Sequence, residues 1–162
     1  MTQRARVFFD ASVLLAAAGS PEGGSTAAIA LLANSDQYEP VVSAEVLQEA
    51  LGNLRLKFKE AAVIRFYQLL GQLRPVLAGP GPTLSVVDLP PSLAAKDHHV
   101  VRSCLTSGAS ICLTLDRRHF LGDDIRRWGI EHNLRLLTPV EFLAWERIRH
   151  LEDVNRDFTR PA

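Results

Sequence analysis

The sequence predicts an α/β domain, a three-layer α/β/α sandwich around a mostly parallel central sheet of about five strands. Three observations carry this expectation. Short runs rich in β-branched and aromatic residues alternate with stretches whose apolar residues recur at helical spacing, the pattern of strand–helix–strand units. Two of the apolar runs, VFFD and ICLTLD, finish on an acid, at the strand ends where open parallel sheets bind ligands. The 162 residues, 47% hydrophobic and 22% charged, suit one sizeable core rather than a disordered chain.

The elements follow in order. Residues 7–9 read as a buried strand ending at Asp10, and the turn-rich 19–25 (GSPEGGS) precedes a helix over 26–33. Residues 39–43 (EPVVS) give a second strand, and Ser43 suits the N-cap of a helix from Ala44 to about Leu56. Residues 59–73 form an amphipathic helix stopped by Pro75. After the loop 78–82 (AGPGP), residues 83–89 (TLSVVDL) read as a third strand. Helical spacing returns over 96–108, with Val100, Val101, Cys104 and Leu105 on one face and Gly108 at the end. Residues 110–116 are a fourth strand, 134–138 a fifth, and Pro139 opens the last helix. No internal repeat or long linker interrupts the pattern, so one domain is expected over 1–150, followed by a polar tail over 151–162.

Composition excludes several classes. Lysine plus arginine equal aspartate plus glutamate at 18 each, so attraction for phosphate must come from local patches. Cys104 and Cys112 lie in apolar segments without metal-ligand spacing and read as reduced core thiols of a cytosolic protein. Arg4 and Arg6 before an apolar stretch imitate a signal peptide, but Asp10 cuts that stretch in two. No run approaches membrane-spanning length, and a soluble cytoplasmic protein is expected.

The acids carry the chemistry. If the first and fourth strands are neighbours, Asp10 and Asp116 converge at the rim of the sheet. In the helix from Ala44, Val46, Leu47, Ala50, Leu51 and Leu54 form an apolar face. Glu45 lies nearly opposite that face and suits the first turn, where it favours the helix dipole, whereas Glu49 borders the face and is placed to look into a cleft. Asp97 opens a helix, and its plain reading is an N-terminal aspartate satisfying free N–H groups. Four carboxylates gathered together repel one another unless a cation sits among them, and an all-oxygen site suits Mg²⁺ or Mn²⁺. Ser12 and Thr114, each two residues from a strand-end acid, can orient the carboxylates.

These residues resemble the PIN domain, the metal-dependent nuclease fold of VapC-type toxins, over nearly the whole chain. VFFDASVLLAAAGS resembles its first motif, and VVSAEVLQEAL its second, with the glutamate at Glu49. KDHHVVRSCLTSGASICLTLDRRHF resembles the third and fourth, and LLTPVEFL the closing strand and helix. TLDRRHF and LLTPVEFL look most like the branch of toxin components of toxin–antitoxin systems. Each motif alone is weak; all of them in order are a strong signal. The resemblance implies a Mg²⁺- or Mn²⁺-dependent ribonuclease, often homodimeric and often held inactive by a small antitoxin. Carried over, its catalytic and metal-binding set is Asp10, Glu49, Asp97 and Asp116. Two departures stand out: Ala11 where threonine is frequent, and Cys104 where a small alanine is usual.

Candidate RNA contacts are Asn53, one turn beyond Glu49, with Arg117, Arg118 and His119 beside Asp116; Arg126, Arg127, Arg55 and Lys57 are further basic candidates. Each basic residue also has a plain reading as a solvated surface charge. Residues 97–99 (DHH) match the name motif of another phosphoesterase family, but no early Asp-x-Asp accompanies them; His98 or His99 can still contact substrate or metal, or one or both can simply cover the helix start. Aspartyl-nucleophile phosphatases need an acid where Ser12 stands, and a P-loop needs a lysine that GSPEGGS lacks. The leading expectation is RNA phosphodiester hydrolysis. The alternatives are a PIN-like RNA- or protein-binding module without cleavage, and an enzyme of the same fold acting on DNA or a small phosphoester.

Overall fold

The computed structural model describes residues 3–79 and 89–159. Five strands, β1 (Ala5–Phe9), β2 (Tyr38–Val42), β3 (Val76–Leu77), β4 (Ile111–Leu113) and β5 (Arg135–Leu137), form one sheet. All four pairings are parallel and the order is β3-β2-β1-β4-β5. Val7, Phe8 and Phe9 are fully buried at its centre, because a parallel sheet covered on both faces needs consecutive apolar residues. Among the described residues seven α-helices complete the three layers: α1 (Ala11–Gly19), α2 (Gly24–Ala33), α3 (Ala44–Lys57), α4 (Glu60–Leu73), α5 (His98–Thr106), α6 (Asp123–Glu131) and α7 (Pro139–Thr159). Helices α1 to α4 pack on one another, α7 packs on α2 and β5, and α6 packs on β5.

Local signals account for most boundaries. The Ser43 hydroxyl accepts the Val46 N–H at 3.2 Å and caps α3, as its sequence position predicts. Helix α5 ends through Ser107 into Gly108, whose φ of +67° is the left-handed conformation that favours glycine. The chain then enters β4 directly, with the Ser110 N–H on the Arg6 carbonyl at 3.0 Å. Thr138 and Glu141 exchange hydrogen bonds of 3.1 and 2.8 Å across the first turn of α7, so Pro139 starts that helix inside a capping box.

The structure departs from the expected elements in four places. The third strand is Val76–Leu77; the expected strand over 83–89 lies, Leu89 apart, outside the described residues. Arg74 ends α4 in a left-handed conformation (φ 45°) and Pro75 cannot continue the helix, so the chain extends at once and pairs with Val41 and Val42. Helix α1 carries no apolar period because Ala11, Val13, Leu14, Ala17 and Ala18 are all buried, and a helix covered all round shows no polar stripe. Helix α6 is short and polar, burying Ile125 and Gly129, and a Cβ at Gly129 would meet the Leu134 carbonyl oxygen at 2.5 Å. Helix α7 runs past residue 150 to Thr159, with Leu151, Glu152, Asp153 and Val154 exposed.

Cys104 and Cys112 are buried free thiols, as expected. Among the described residues no helix is long and apolar enough to cross a membrane.

Candidate metal centre at the carboxyl edge of the sheet

The chain lays β1, β2 and β3 outward in one direction, then returns to place β4 on the other side of β1. The strand order therefore reverses between β1 and β4, where open sheets bind ligands beyond their carboxyl ends. Asp10 and Asp116 flank that reversal. Phe9 pairs with Leu113, and the Asp10 N–H donates to the Leu113 carbonyl at 3.0 Å, so the acid leaves the sheet beside the end of β4.

Asp10 is 7% exposed and its carboxylate is held from three sides. Oδ1 accepts the Ala11 N–H at 2.8 Å, which makes Asp10 the N-cap of α1. Oδ2 accepts the Ser12 hydroxyl at 2.6 Å and the Thr114 hydroxyl at 2.8 Å. Those two hydroxyls also fix the second acid's loop: Ser12 Oγ accepts the Leu115 N–H at 3.0 Å, and Thr114 Oγ1 accepts the Asp116 N–H at 3.1 Å. Ser12 and Thr114 thus couple the ends of β1 and β4, bonding both the Asp10 carboxylate and backbone N–H groups of the second strand's end.

Asp116 sits in a tight turn anchored by Phe120, which is buried and whose N–H donates to the Asp116 carbonyl at 3.0 Å. Its Oδ1 accepts the Arg118 and His119 N–H groups at 3.1 and 3.0 Å, leaving Oδ2 toward the His119 ring, 2.9 Å from Nδ1. Burial pushes the Asp116 carboxyl up, but the His119 ring and these N–H groups outweigh it and hold the carboxyl below its ordinary value.

Asp97 behaves differently from its plain reading. It ends a single 3-10 turn (Ala95–Asp97) and precedes α5, yet its side chain makes no capping hydrogen bond. Its Oδ2 is buried with no hydrogen-bond partner and stands 3.9 Å from His119 Nδ1. Burial, together with the charges of Asp116 and Asp10, raises the Asp97 carboxyl above its ordinary value against the pull of Lys96 and His119. Glu49 is raised in the same way, by burial first and then by Asp10.

These groups share a cleft of about 420 Å³, lined by Asp10, Ser12, Glu49, Asn53, Asp97 and Asp116 together with Leu15, Lys57, Lys96 and Phe120. All four predicted acids meet there, and Asn53 joins them. Thr114 lies beneath, fully buried. Arg117 and Arg118 are exposed and stand outside this lining, since their turn gives its backbone rather than its side chains to Asp116. Arg126 also stands outside it, spent on Glu141 at 3.1 Å. His98 Nε2 contacts the Leu93 carbonyl at 3.1 Å and covers the helix start.

Lys96 is a lining residue that sequence reasoning missed; its adjacency to Asp97 was the available signal. His119 is a phosphate candidate by its place after Arg117 and Arg118, yet its ring faces Asp116 and Asp97. One donor atom from each of these three residues lies within 4.8 Å of the others. A buried carboxylate oxygen without a donor, two acids with raised proton affinity and this donor set together fit a divalent cation.

No family model matches the chain, and no curated protein sequence matches it. Among solved structures it is similar to a chain in the crystal structure of VapBC2 from Rickettsia felis bound to a DNA fragment from their promoter. That likeness covers 82% of this chain and 98% of the other, at a TM-score of 0.59 and 15% sequence identity. The likeness concerns the fold, and the three-layer α/β/α sandwich around a parallel five-stranded sheet that the sequence predicts is the architecture observed.

Proposed function

We propose that the chain is a Mg²⁺- or Mn²⁺-dependent ribonuclease that hydrolyses RNA phosphodiester bonds as the toxin of a type II toxin–antitoxin pair. The observation that carries this reading is the meeting of Asp10, Glu49, Asp97 and Asp116 in one cleft, with the Asp97 Oδ2 buried and unpartnered. Asp10, Asp97 and Asp116 would hold the cation, and Ser12 and Thr114 keep Asp10 in its orientation. The ion, when bound, supplies Lewis-acid stabilisation of charge developing on the phosphodiester.

Glu49 faces the same cleft with its proton affinity raised, which suits a base that takes a proton from the attacking water. The water oxygen bonds to phosphorus, the bond from phosphorus to the leaving oxygen breaks, and the leaving oxygen takes up a proton from solvent. Lys57 and Lys96 line the walls where the RNA backbone would approach, and Asn53 is placed for a polar contact to the strand.

A small antitoxin and a second copy of the chain are the protein partners in this reading, and the cytoplasm is its setting. Where α3 gives way to α4, Leu56 is 85% exposed and Phe58, Ile64 and Tyr67 are also exposed, apolar side chains that a partner would cover.

The test is cleavage of a mixed single-stranded RNA pool with Mg²⁺ or Mn²⁺, comparing wild type, Asp10→Asn and a chelator control, with a DNA pool in parallel. Cleavage of RNA that disappears in both controls is the expected result. RNA retention without cleavage across several divalent ions would turn the assignment to a binding module.

A further inference from the structure

We infer that His119 is itself a ligand of the cation, adding an imidazole nitrogen to the carboxylates and biasing the site toward Mn²⁺ over Mg²⁺. This rests on the metal-dependent reading of the acidic cleft. Three features of the structure carry it.

The first is position. His119 Nδ1 stands 2.9 Å from Asp116 Oδ2 and 3.9 Å from Asp97 Oδ2, so the nitrogen belongs to the same small cage as the two acids. The second is rigidity. His119 follows Asp116 in a turn whose N–H groups at 118 and 119 clamp Asp116 Oδ1, and Phe120 anchors that turn in the core. The ring is therefore delivered by backbone geometry rather than by a free side chain on the surface. The third is unmet demand. Asp97 Oδ2 is buried, lacks a hydrogen-bond partner, and lies too far from the ring for a hydrogen bond. One proton on Nδ1 satisfies Asp116 alone; a cation shared by the nitrogen and both oxygens satisfies all three.

The consequence for selectivity follows from ligand chemistry. Mg²⁺ prefers all-oxygen surroundings and dehydrates reluctantly, whereas imidazole nitrogen suits transition metals. The resemblance leaves Mg²⁺ and Mn²⁺ equivalent; a nitrogen in the cage separates them.

The experiment is Mn²⁺ binding to wild type, His119→Asn and Asp10→Asn, followed by electron paramagnetic resonance with detection of nitrogen modulation, and by Mg²⁺ competition. The asparagine amide can replace the hydrogen bond to Asp116 but offers no imidazole. Wild type is expected to bind Mn²⁺ with imidazole nitrogen modulation. In His119→Asn that modulation disappears and the preference for Mn²⁺ over Mg²⁺ falls roughly tenfold, the scale of losing a group that supports a metal site. Mn²⁺ bound in an Asp10-dependent manner without nitrogen modulation would overturn the assignment of His119 and leave the metal-dependent reading standing. Absence of Asp10-dependent Mn²⁺ binding in folded wild type would overturn both.

Discussion

The two edges of the sheet hold cavities of similar size and opposite electrostatic character. At the amino edge, a cavity of about 450 Å³ is lined by the first residues of four strands, Ala5, Tyr38, Ile111 and Arg135, with Trp145 and Arg149. Most charges in and beside it are engaged inside the fold, and Arg135 lies over the Trp145 ring at 6.0 Å. Arg6 pairs with Glu39 at 2.7 Å and donates to the Ser107 carbonyl at 2.6 Å. Arg149 pairs with Glu146 at 2.9 Å, donates to the Tyr38 hydroxyl at 3.0 Å and lies over the Trp145 ring at 5.4 Å. Tyr38 in turn donates to Glu146, and burial together with that bond keeps the phenol protonated far above its ordinary range. At the carboxyl edge, four acids share about 420 Å³ with two lysines, and one buried oxygen has no partner. Cavity volume alone would not separate the two. The amino edge spends its polar groups on internal bonds, as a structural surface does, while the carboxyl edge leaves demand that a ligand must meet.

This contrast can be broken by substitution. The largest effect expected is on chemistry: Asp10→Asn and Asp97→Asn should each lower RNA cleavage by at least about 100-fold, the scale of losing a preorganised electrostatic group. Ser12 and Thr114 can rotate their hydroxyls to accept from the new amide at position 10, so circular dichroism should report an unchanged fold. An active Asp97→Asn variant would remove that acid from the machinery.

Next in size is a change at the opposite edge. Glu146→Ala strips the acceptor from Tyr38 and the counter-charge from Arg149, and should cost about 1–3 kcal/mol in urea unfolding with cleavage retained. A stable but inactive Glu146→Ala would contradict the division between the edges.

Smaller and opposite in sign, Asp97→Asn should stabilise the chelator-treated chain by about 1 kcal/mol, because it discharges a buried oxygen that has no donor. Loss of stability would mean that the carboxylate is paired in solution.

The smallest effect is a pH slope. Glu49 and Asp97 have folded proton affinities raised above their ordinary values, so the folded chain holds these protons more tightly than the unfolded one. Their contribution to stability is complete below the ordinary carboxylate value and is lost as pH rises through the raised one. Asp116 is lowered, so its contribution is lost as pH falls through its depressed value, outside that window. Under chelator, stability should therefore decline with rising pH just above the ordinary carboxylate range, and Glu49→Gln should flatten the decline.

Much of the site was legible in the sequence because its acids lie where local patterns change. Asp10 and Asp116 end apolar runs, and Glu49 borders a helical face that burial requires. Local reading failed where one residue type serves two ends. Asp97 looks like a helix cap and caps nothing, while Asp10, read as a strand-end acid, is also the N-cap of α1. The inward turn of His119 left no mark in spacing, since it depends on a turn and a helix from different parts of the chain.

By itself the sequence determined which segments become the inner strands, because burial on both faces of a parallel sheet demands consecutive apolar residues, and it placed acids just past the ends of two of them, β1 and β4. The tertiary structure alone decided which strands become neighbours. The order β3-β2-β1-β4-β5 rests on crossovers and helix packing between distant segments, and that order sets Asp10 beside Asp116. It also decided the outer edge, where Val76–Leu77 pairs with β2, and it brought His119 to Asp97. Those contacts depend on long-range packing free energies, which no local pattern of residues encodes.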